Sequence, residues 1–491
     1  MTLCDVQWSN YEMRILMISS EAVPFSKSGG LADVASSLSI ALSELENDVR
    51  LILPNYGITD SSSFKKLPKS IEVPFAGKTE KADILYKKMK KVSVYLIDHP
   101  IFSERQGIYG NTSFTPYPDN LARYTLMSKI ALKLPEMLDW KVDILHCHDW
   151  TTGFIPFMAK QEKKYKNTTT VFTIHNLAYQ GEYPRGDMLL TDMKCDHHML
   201  SDTTIDARVN MMKTGLTHAD IITTVSPTYA KEIQTEEQGC GLDSLLKSKN
   251  NRLFGILNGI DLDEWNPQKD ELLTFHFSKE RIENKAMLKE QIQKQFNLPI
   301  RPDVPLISMI SRIVEQKGFY ELTQGSPSPL EQMLTELNVQ VIIIGTGESR
   351  IEEKLIALSQ LHENLSVNLI FSNEAAHLVE GGSDFFLMPS RYEPCGLNQM
   401  YSMRYGTVVI ARKTGGLADS ITDAHEADGT GFLFDEISGS AMFESVQRAI
   451  SLYYENTEEF EALRRRGMEV DFSWTNSALE YMKVYNTIIK G

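Results

Sequence analysis

A chain of 491 residues with 42% hydrophobic and 23% charged side chains is long enough for two or three domains with large cores and has the composition of an ordered globular protein. A formal net charge of −15, with no Lys/Arg-rich run, argues against nucleic acid or an anionic membrane as the main partner, so any anionic ligand must be held by local cations. Five scattered cysteines (Cys4, Cys147, Cys195, Cys240, Cys395) form no C-x-x-C pair, the leading MTLCDVQWSNYE lacks the pattern of a signal, and no stretch has 18 uninterrupted apolar residues, which together point to a reducing, cytoplasmic setting.

Taken in order, apolar runs of strand length alternate with helical patterns. MRILMIS precedes LADVASSLSIALSEL, and VRLILP, VSVYLID, VDILHCH and TTVFTIHN follow. A Gly/Asn turn, Trp-Asn-Pro, a polar helix and a Pro-rich stretch then break the rhythm, which restarts with PLISMISR, VQVIIIGTG, VNLIFS, DFFLMPS and TVVIA. Runs apolar on both faces suit interior strands of parallel sheets covered by helices, so the expected class is α/β with two doubly wound domains. The boundary is expected at Asn258, giving domains over 1–257 and 258–472. FSWTNSALEYMKVYNTIIK, over 473–491, reads as an amphipathic helix capped by Ser473 or Thr475.

One pentapeptide, GGLAD, occurs twice, in KSGGLADV (Lys27–Val34) and in KTGGLADS (Lys413–Ser420). In the first copy Leu31, Val34, Ala35, Leu38 and Leu42 share a helix face, and Gly29 and Gly30 open the helix where free N–H groups and the dipole attract an anion beside Lys27. The loop matches neither a Walker P-loop nor G-x-G-x-x-G. SRIVEQKG ends the first strand of the second series, where ligands bind in open α/β sheets; there Arg312 offers a fork and Lys317 a point charge, a pair suited to a diphosphate. In PSRYEPCGLNQM, Pro394 stops the strand pattern and Gly396 is expected to open a helix, which sets Glu393 at a turn where a sugar hydroxyl suits it better than phosphate. Cys395 reads as a small buried residue.

Several clusters invite a metal reading. His146 and His148 share a strand face next to Asp149, but no third ligand is indicated. Cys195-Asp-His-His198 is expected in a polar loop, and Asp261-Leu-Asp263 in a capping turn. Gly345-Thr-Gly347 is half a dinucleotide fingerprint with Arg350 in place of its last glycine, so a turn is expected without a dinucleotide.

In their order and spacing KSGGLADV, HCHDW, TIHNLAYQG, VSPTYAKEI, LNGID, SRIVEQKG, PSRYEPCGLNQMYSMRYG and KTGGLAD resemble bacterial glycogen synthases and plant-type starch synthases, from about Met13 to Tyr485. The resemblance implies a GT-B fold, two Rossmann-like domains facing across a cleft with the C-terminal helix crossing back to the first. It implies retaining transfer of glucose from ADP-glucose to the nonreducing end of an α-1,4-glucan, with no cofactor and no metal, in the cytoplasm or in a plastid if a transit segment has been removed. Arg312 and Lys317 would hold the diphosphate, Glu393 the glucose ring, His175 the glucose 6-hydroxyl, and Asp149 the sugar and acceptor region. Lys27, Gly29, Gly30, Asp33, Asn258, Cys395, Gly396, Leu397, Thr414, Gly415 and Gly416 would line the substrate site, and Phe371 would stack on adenine. Thr151 stands where relatives often carry His or Gln, a departure that bears on the acceptor. Alternatives are UDP-glucose as donor on the same fold, or a noncatalytic glucan-binding paralogue.

Overall fold

The computed structural model describes residues 12–111, 115–202, 204 and 206–489; Cys4 lies outside them. The chain forms two compact units. One runs through Val225, takes in Ala230–Ile256 and ends with the segment from Trp474; the other comprises Ser226–Tyr229 and Leu257–Ser473.

In the first unit the strands are β1 (Arg14–Ile18), β2 (Asp48–Pro54), β3 (Lys65–Lys66), β4 (Ile71–Phe75), β5 (Lys78–Met89), β6 (Val92–Asp98), β7 (Ile144–His148), β8 (Thr169–Ile174), a short antiparallel pair β9 (Glu182–Tyr183) and β10 (Val209–Asn210), and β11 (Ile221–Thr224) and β12 (Leu253–Gly255). The main sheet has the order β12-β11-β8-β7-β1-β2-β6-β5-β3, parallel from β12 to β6 and antiparallel beyond. β1 pairs with β2 on one side and β7 on the other, Ile15 lying level with Val49 and Ile144. That gap is the topological switch point, where chain crossovers diverge and leave a crevice at the carboxyl ends of the strands.

The antiparallel excursion β4–β5 is absent from the sequence reading. Its signal is a period of two in IEVPF, whose residues alternate between buried and exposed, closed by Ala76 and Gly77 with φ of 52° and 73°, a two-residue hairpin turn.

The second unit carries β13 (Leu306–Ile310), β14 (Gln340–Ile344), β15 (Leu365–Asn368), β16 (Phe385–Met388), β17 (Val408–Arg412) and β18 (Gly431–Phe434) in one parallel sheet, β15-β14-β13-β16-β17-β18. This is the 3-2-1-4-5-6 order of a Rossmann sheet, with its switch point between β13 and β16. β13, β14, β16 and β17 are almost wholly buried, which is why they read as unbroken apolar runs.

The C-terminal helix, Trp474–Ile489, belongs to the first unit. Trp474, Ala478, Tyr481, Met482 and Tyr485 share one core with Val34, Ala35, Leu38 and Leu42 of the helix Gly30–Glu44. Since the helix begins at Trp474, Thr475 is inside it and is not its cap; Ser473 stands just before it, its N–H held by Asp471 Oδ1 at 2.8 Å.

Candidate active site

In the second unit the chemistry gathers at the β13/β16 switch point. A pocket of about 130 Å³ is lined by Met309–Arg312 and Lys317 from the end of β13, Phe386–Ser390 from the end of β16, and Asn398. Lys317 ends a 3₁₀ turn that closes on Gly318 at φ 79°. A side chain at Gly318 would run into the backbone of Pro389, so glycine alone lets this turn lie against the neighbouring loop. Arg391 N donates to the Gln316 carbonyl at 2.8 Å, and the Arg391 guanidinium binds Glu315 and Glu321, which ties the two loops together.

Lys317 Nζ sits 2.5 Å from Glu393 Oε2, and Ser390 Oγ donates to the same oxygen at 3.0 Å. Lys317 and Glu393 are therefore partners in one ion pair. The Lys317 and Glu393 side chains are 19% and 7% exposed. Arg312 is exposed, its Nη2 3.5 Å from Gln316 Oε1. Asn398 Nδ2 reaches the Ile310 carbonyl and Glu380 Oε1, each at 3.3 Å, and burial pushes the Glu380 carboxyl up to about 8. Ser390 and Asn398 escaped the sequence reading because neither type signals chemistry without its neighbours.

Gly396, with φ 70°, does not open a helix; the helix runs Asn398–Arg404 with Leu397 before it in non-helical geometry. Cys395 is buried and hydrogen-bonded by Asn258, itself buried, and burial pushes its thiol up to about 12, which makes it inert. The second GGLAD packs on this turn. Gly416 N donates to the Glu393 carbonyl at 3.1 Å, and side chains at Gly415 (φ 44°) or Gly416 would overlap the carbonyls of Glu393 and Cys395. Thr414 precedes them, buried. Asp419, from the same motif, accepts from Thr228 N and Oγ1 at 2.7 Å. Phe371 lies just past β15 and is 98% exposed.

In the first unit the corresponding ends of β1, β7 and β8 carry Glu21, Asp149 and His175. Glu21, absent from the sequence reading although it follows β1 directly, is 2% exposed. Its carboxylate accepts from the N–H groups of Ser28 and Gly29, from Ser28 Oγ at 3.1 Å and from Tyr109 OH at 2.9 Å; burial raises its pKa. The N–H groups of Ser28 and Gly29 at the first glycine turn are thus not free for an anion: a protein carboxylate already holds them. Lys27, half-exposed, pairs with Asp33 at 2.8 Å. Gly29 has open space around the position of a Cβ, in contrast to Gly415 and Gly416, and Gly30 begins the helix.

Asp149 Oδ1 accepts the N–H of His175 at 2.8 Å, and burial pushes its carboxyl up to about 7 against the pull of the His175 and Asn176 N–H groups. His146 gives both ring nitrogens to hydroxyls, Nε2 to Thr173 at 2.6 Å and Nδ1 to Tyr485 at 2.7 Å, which leaves no lone pair for a metal. His148 stacks on His146, centroids 4.4 Å apart, and its Nδ1 lies 2.9 Å from His175 Nε2. Burial lowers His146 and His175 to about 3 and His148 in the same direction. Asp261 Oδ1 accepts from the N–H groups of Asp263 and Glu264, and Asp263 pairs with Lys269 at 2.6 Å, so this D-x-D forms a capping turn. Asp196, His197 and His198 cluster on the surface. A cavity of about 700 Å³ lined by Lys129, Phe157, Asp192 and Cys195 includes none of the residues expected at the site.

No helix among the described residues is long and apolar enough to cross a membrane. A profile described as "Starch synthase catalytic domain" matches residues 14–248, and one described as "Glycosyl transferases group 1" matches residues 290–467. A glycogen synthase of Treponema denticola is 38% identical over 485 residues, covering 97% of this chain and 99% of that protein. One from Geotalea daltonii is 40% identical over 488 residues, covering 97% and 99%. The solved catalytic domain of starch synthase IV from Arabidopsis thaliana, bound to ADP and acarbose, matches with a TM-score of 0.89 at 31% identity over 98% of this chain and 100% of that one.

Proposed function

The chain belongs to the starch and glycogen synthase family of glycosyltransferases, with its GT-B fold of two Rossmann-like units, and from that premise we propose that it moves glucose from ADP-glucose to the nonreducing end of an α-1,4-glucan with retention of configuration. The observation that carries the reading is the convergence of Arg312, Lys317 and Glu393 on the β13/β16 switch point. Two cations there match a diphosphate, and the carboxylate suits a sugar hydroxyl. The relative solved with ADP supports adenine as the base, and exposed Phe371 offers a ring face for it.

Retention by double displacement needs a carboxylate free to attack the sugar. Glu393 Oε2 is held by Lys317 and Ser390, Glu21 holds backbone N–H groups of its own loop, and Asp149 holds the His175 N–H of the loop after β8. A front-face route fits these engagements. The diphosphate leaves toward Lys317 and Arg312, an oxocarbenium-like sugar forms, and the acceptor hydroxyl enters on the same face while its proton passes to a leaving phosphate oxygen. The protein contributes position and fixed charge. The substrate roles of Lys27, Asp33, Asn258, Gly396, Leu397 and Thr414 belong to the same proposal.

The test is to incubate the protein with glycogen and either ADP-glucose or UDP-glucose, and to measure nucleotide release and chain extension. ADP-glucose turnover at least tenfold above UDP-glucose, with α-1,4 extension, is expected. The reverse preference overturns the donor assignment, and glycogen binding without transfer from either donor makes the protein a glucan-binding paralogue.

A further inference from the structure

Histidine 148 has a hydrogen-bonding pattern that fixes a proton. Its Nδ1 faces His175 Nε2 at 2.9 Å, while its Nε2 is buried with no hydrogen-bond partner. A neutral imidazole carries one N–H and one lone pair. With the proton on Nε2, a buried donor would be orphaned, which is rarer and costlier than an unfilled acceptor. With the proton on Nδ1, the donor is satisfied by His175 Nε2 and only a lone pair goes unused. His175 Nε2 is then the acceptor, so the proton of His175 sits on its Nδ1. Burial keeps all three stacked or bonded histidines neutral, so no second proton enters.

The His148 ring has little freedom to escape this role. It lies face to face on His146, with ring planes 22° apart, and His146 is clamped by Thr173 and by Tyr485 of the C-terminal helix. His175 is held from the other side, its own N–H on Asp149. Among the described residues no partner takes His175 Nδ1, and the residue is only half-buried.

We propose that His148 is a positioning residue that fixes His175 as the neutral Nδ1–H tautomer, so that His175 meets its ligand as a hydrogen-bond donor through Nδ1. Together with the proposed function, on which this part rests, the ligand atom is a sugar hydroxyl oxygen of the glucosyl group. A donor that fixes the orientation of the glucosyl group at the reacting centre acts on the chemical step, so its loss shows in kcat.

Two arms test it. In full-length protein labelled with ¹⁵N-histidine, long-range ¹H–¹⁵N spectra assigned with His175→Gln should show a protonated, pyrrole-type Nδ1 and a bare Nε2 for His175; a protonated Nε2 overturns the proposal. In kinetics, His148→Asn places an amide N–H near the position of Nδ1, whereas His148→Gln places it near Nε2. The Asn variant should keep kcat within about threefold, and the Gln variant should lose roughly ten- to a hundredfold, with donor KM changing less than kcat. Equal kcat in the two variants, both shown folded by thermal melting, overturns it as well. If the wild-type protein transfers no glucose, the functional reading fails while the spectra still decide the tautomer.

Discussion

Removal of the Lys317 ammonium separates two effects that one residue combines. Lys317 and Glu393 form an ion pair 2.5 Å apart with little exposure on either side, so Lys317→Met leaves a nearly buried carboxylate whose Oε2 keeps, among the described residues, the Ser390 Oγ donor. An uncompensated buried charge of this kind costs up to about 3–5 kcal/mol. The 19% exposure of Lys317 lets water reach the site and lowers the expected loss to about 2–4 kcal/mol. For a unit of this size that corresponds to a fall in Tm of roughly 4–15 °C. Lys317→Met/Glu393→Gln removes both charges and leaves an amide that still accepts from Ser390, so most of the lost Tm should return. Activity should not: the lost cation is worth roughly 1.5–3 kcal/mol to the departing phosphate, about ten- to a few hundredfold in kcat. Differential scanning fluorimetry and steady-state kinetics at saturating ADP-glucose measure both. A single variant that melts within about 1 °C of wild type would refute the buried-pair argument, and an unchanged kcat would remove Lys317 from the catalytic assignment.

The Asp149 carboxyl has its pKa raised to about 7, so its contribution to stability is complete below the unfolded value near 4 and is lost as pH rises through 7; Asp149→Asn, which stays neutral, should gain Tm over wild type at pH 8 relative to pH 5, and a pH-independent difference would refute the shift. Gly415→Ala should destabilise the protein by about 2 kcal/mol or more because φ is positive and the Glu393 carbonyl is in the way, whereas Gly29→Ala, with open space, should melt within a few degrees of wild type; equal melts would undo the distinction between the two motifs. Phe371→Ala should raise donor KM about two- to tenfold through loss of one stacked ring face without a shift in melting temperature, and an unchanged KM removes Phe371 from the base site. Turnover should survive EDTA, since Asp261 caps a turn and Asp263 pairs with Lys269; loss in EDTA restored by Mg²⁺ would return these aspartates to the ligand list.

Local pattern alone determined the α/β class and most of the strands, because parallel strands covered on both faces must be apolar throughout and so stand out as runs. It missed the β4–β5 hairpin, where alternation replaces the run, and the order of strands, which depends on crossovers rather than on any residue. Motif order sufficed to relate Arg312, Lys317 and Glu393 to one proposed site, but the meeting of Lys317 and Glu393 across 76 residues of chain is a product of the switch point. Tertiary structure alone decided what the two GGLAD copies do. The pentapeptides are identical, yet Gly415 and Gly416 are glycines because other backbone presses on them, while Gly29 is open and its N–H is held by Glu21. The same holds for the histidines. Nothing in HCHDW or TIHN says which ring nitrogen carries a proton, because that follows from partners contributed by different strands and by the C-terminal helix. A sequence specifies residue types and their local periods; burial and hydrogen-bond partners are set by contacts between segments far apart in the chain, and protonation follows from those contacts.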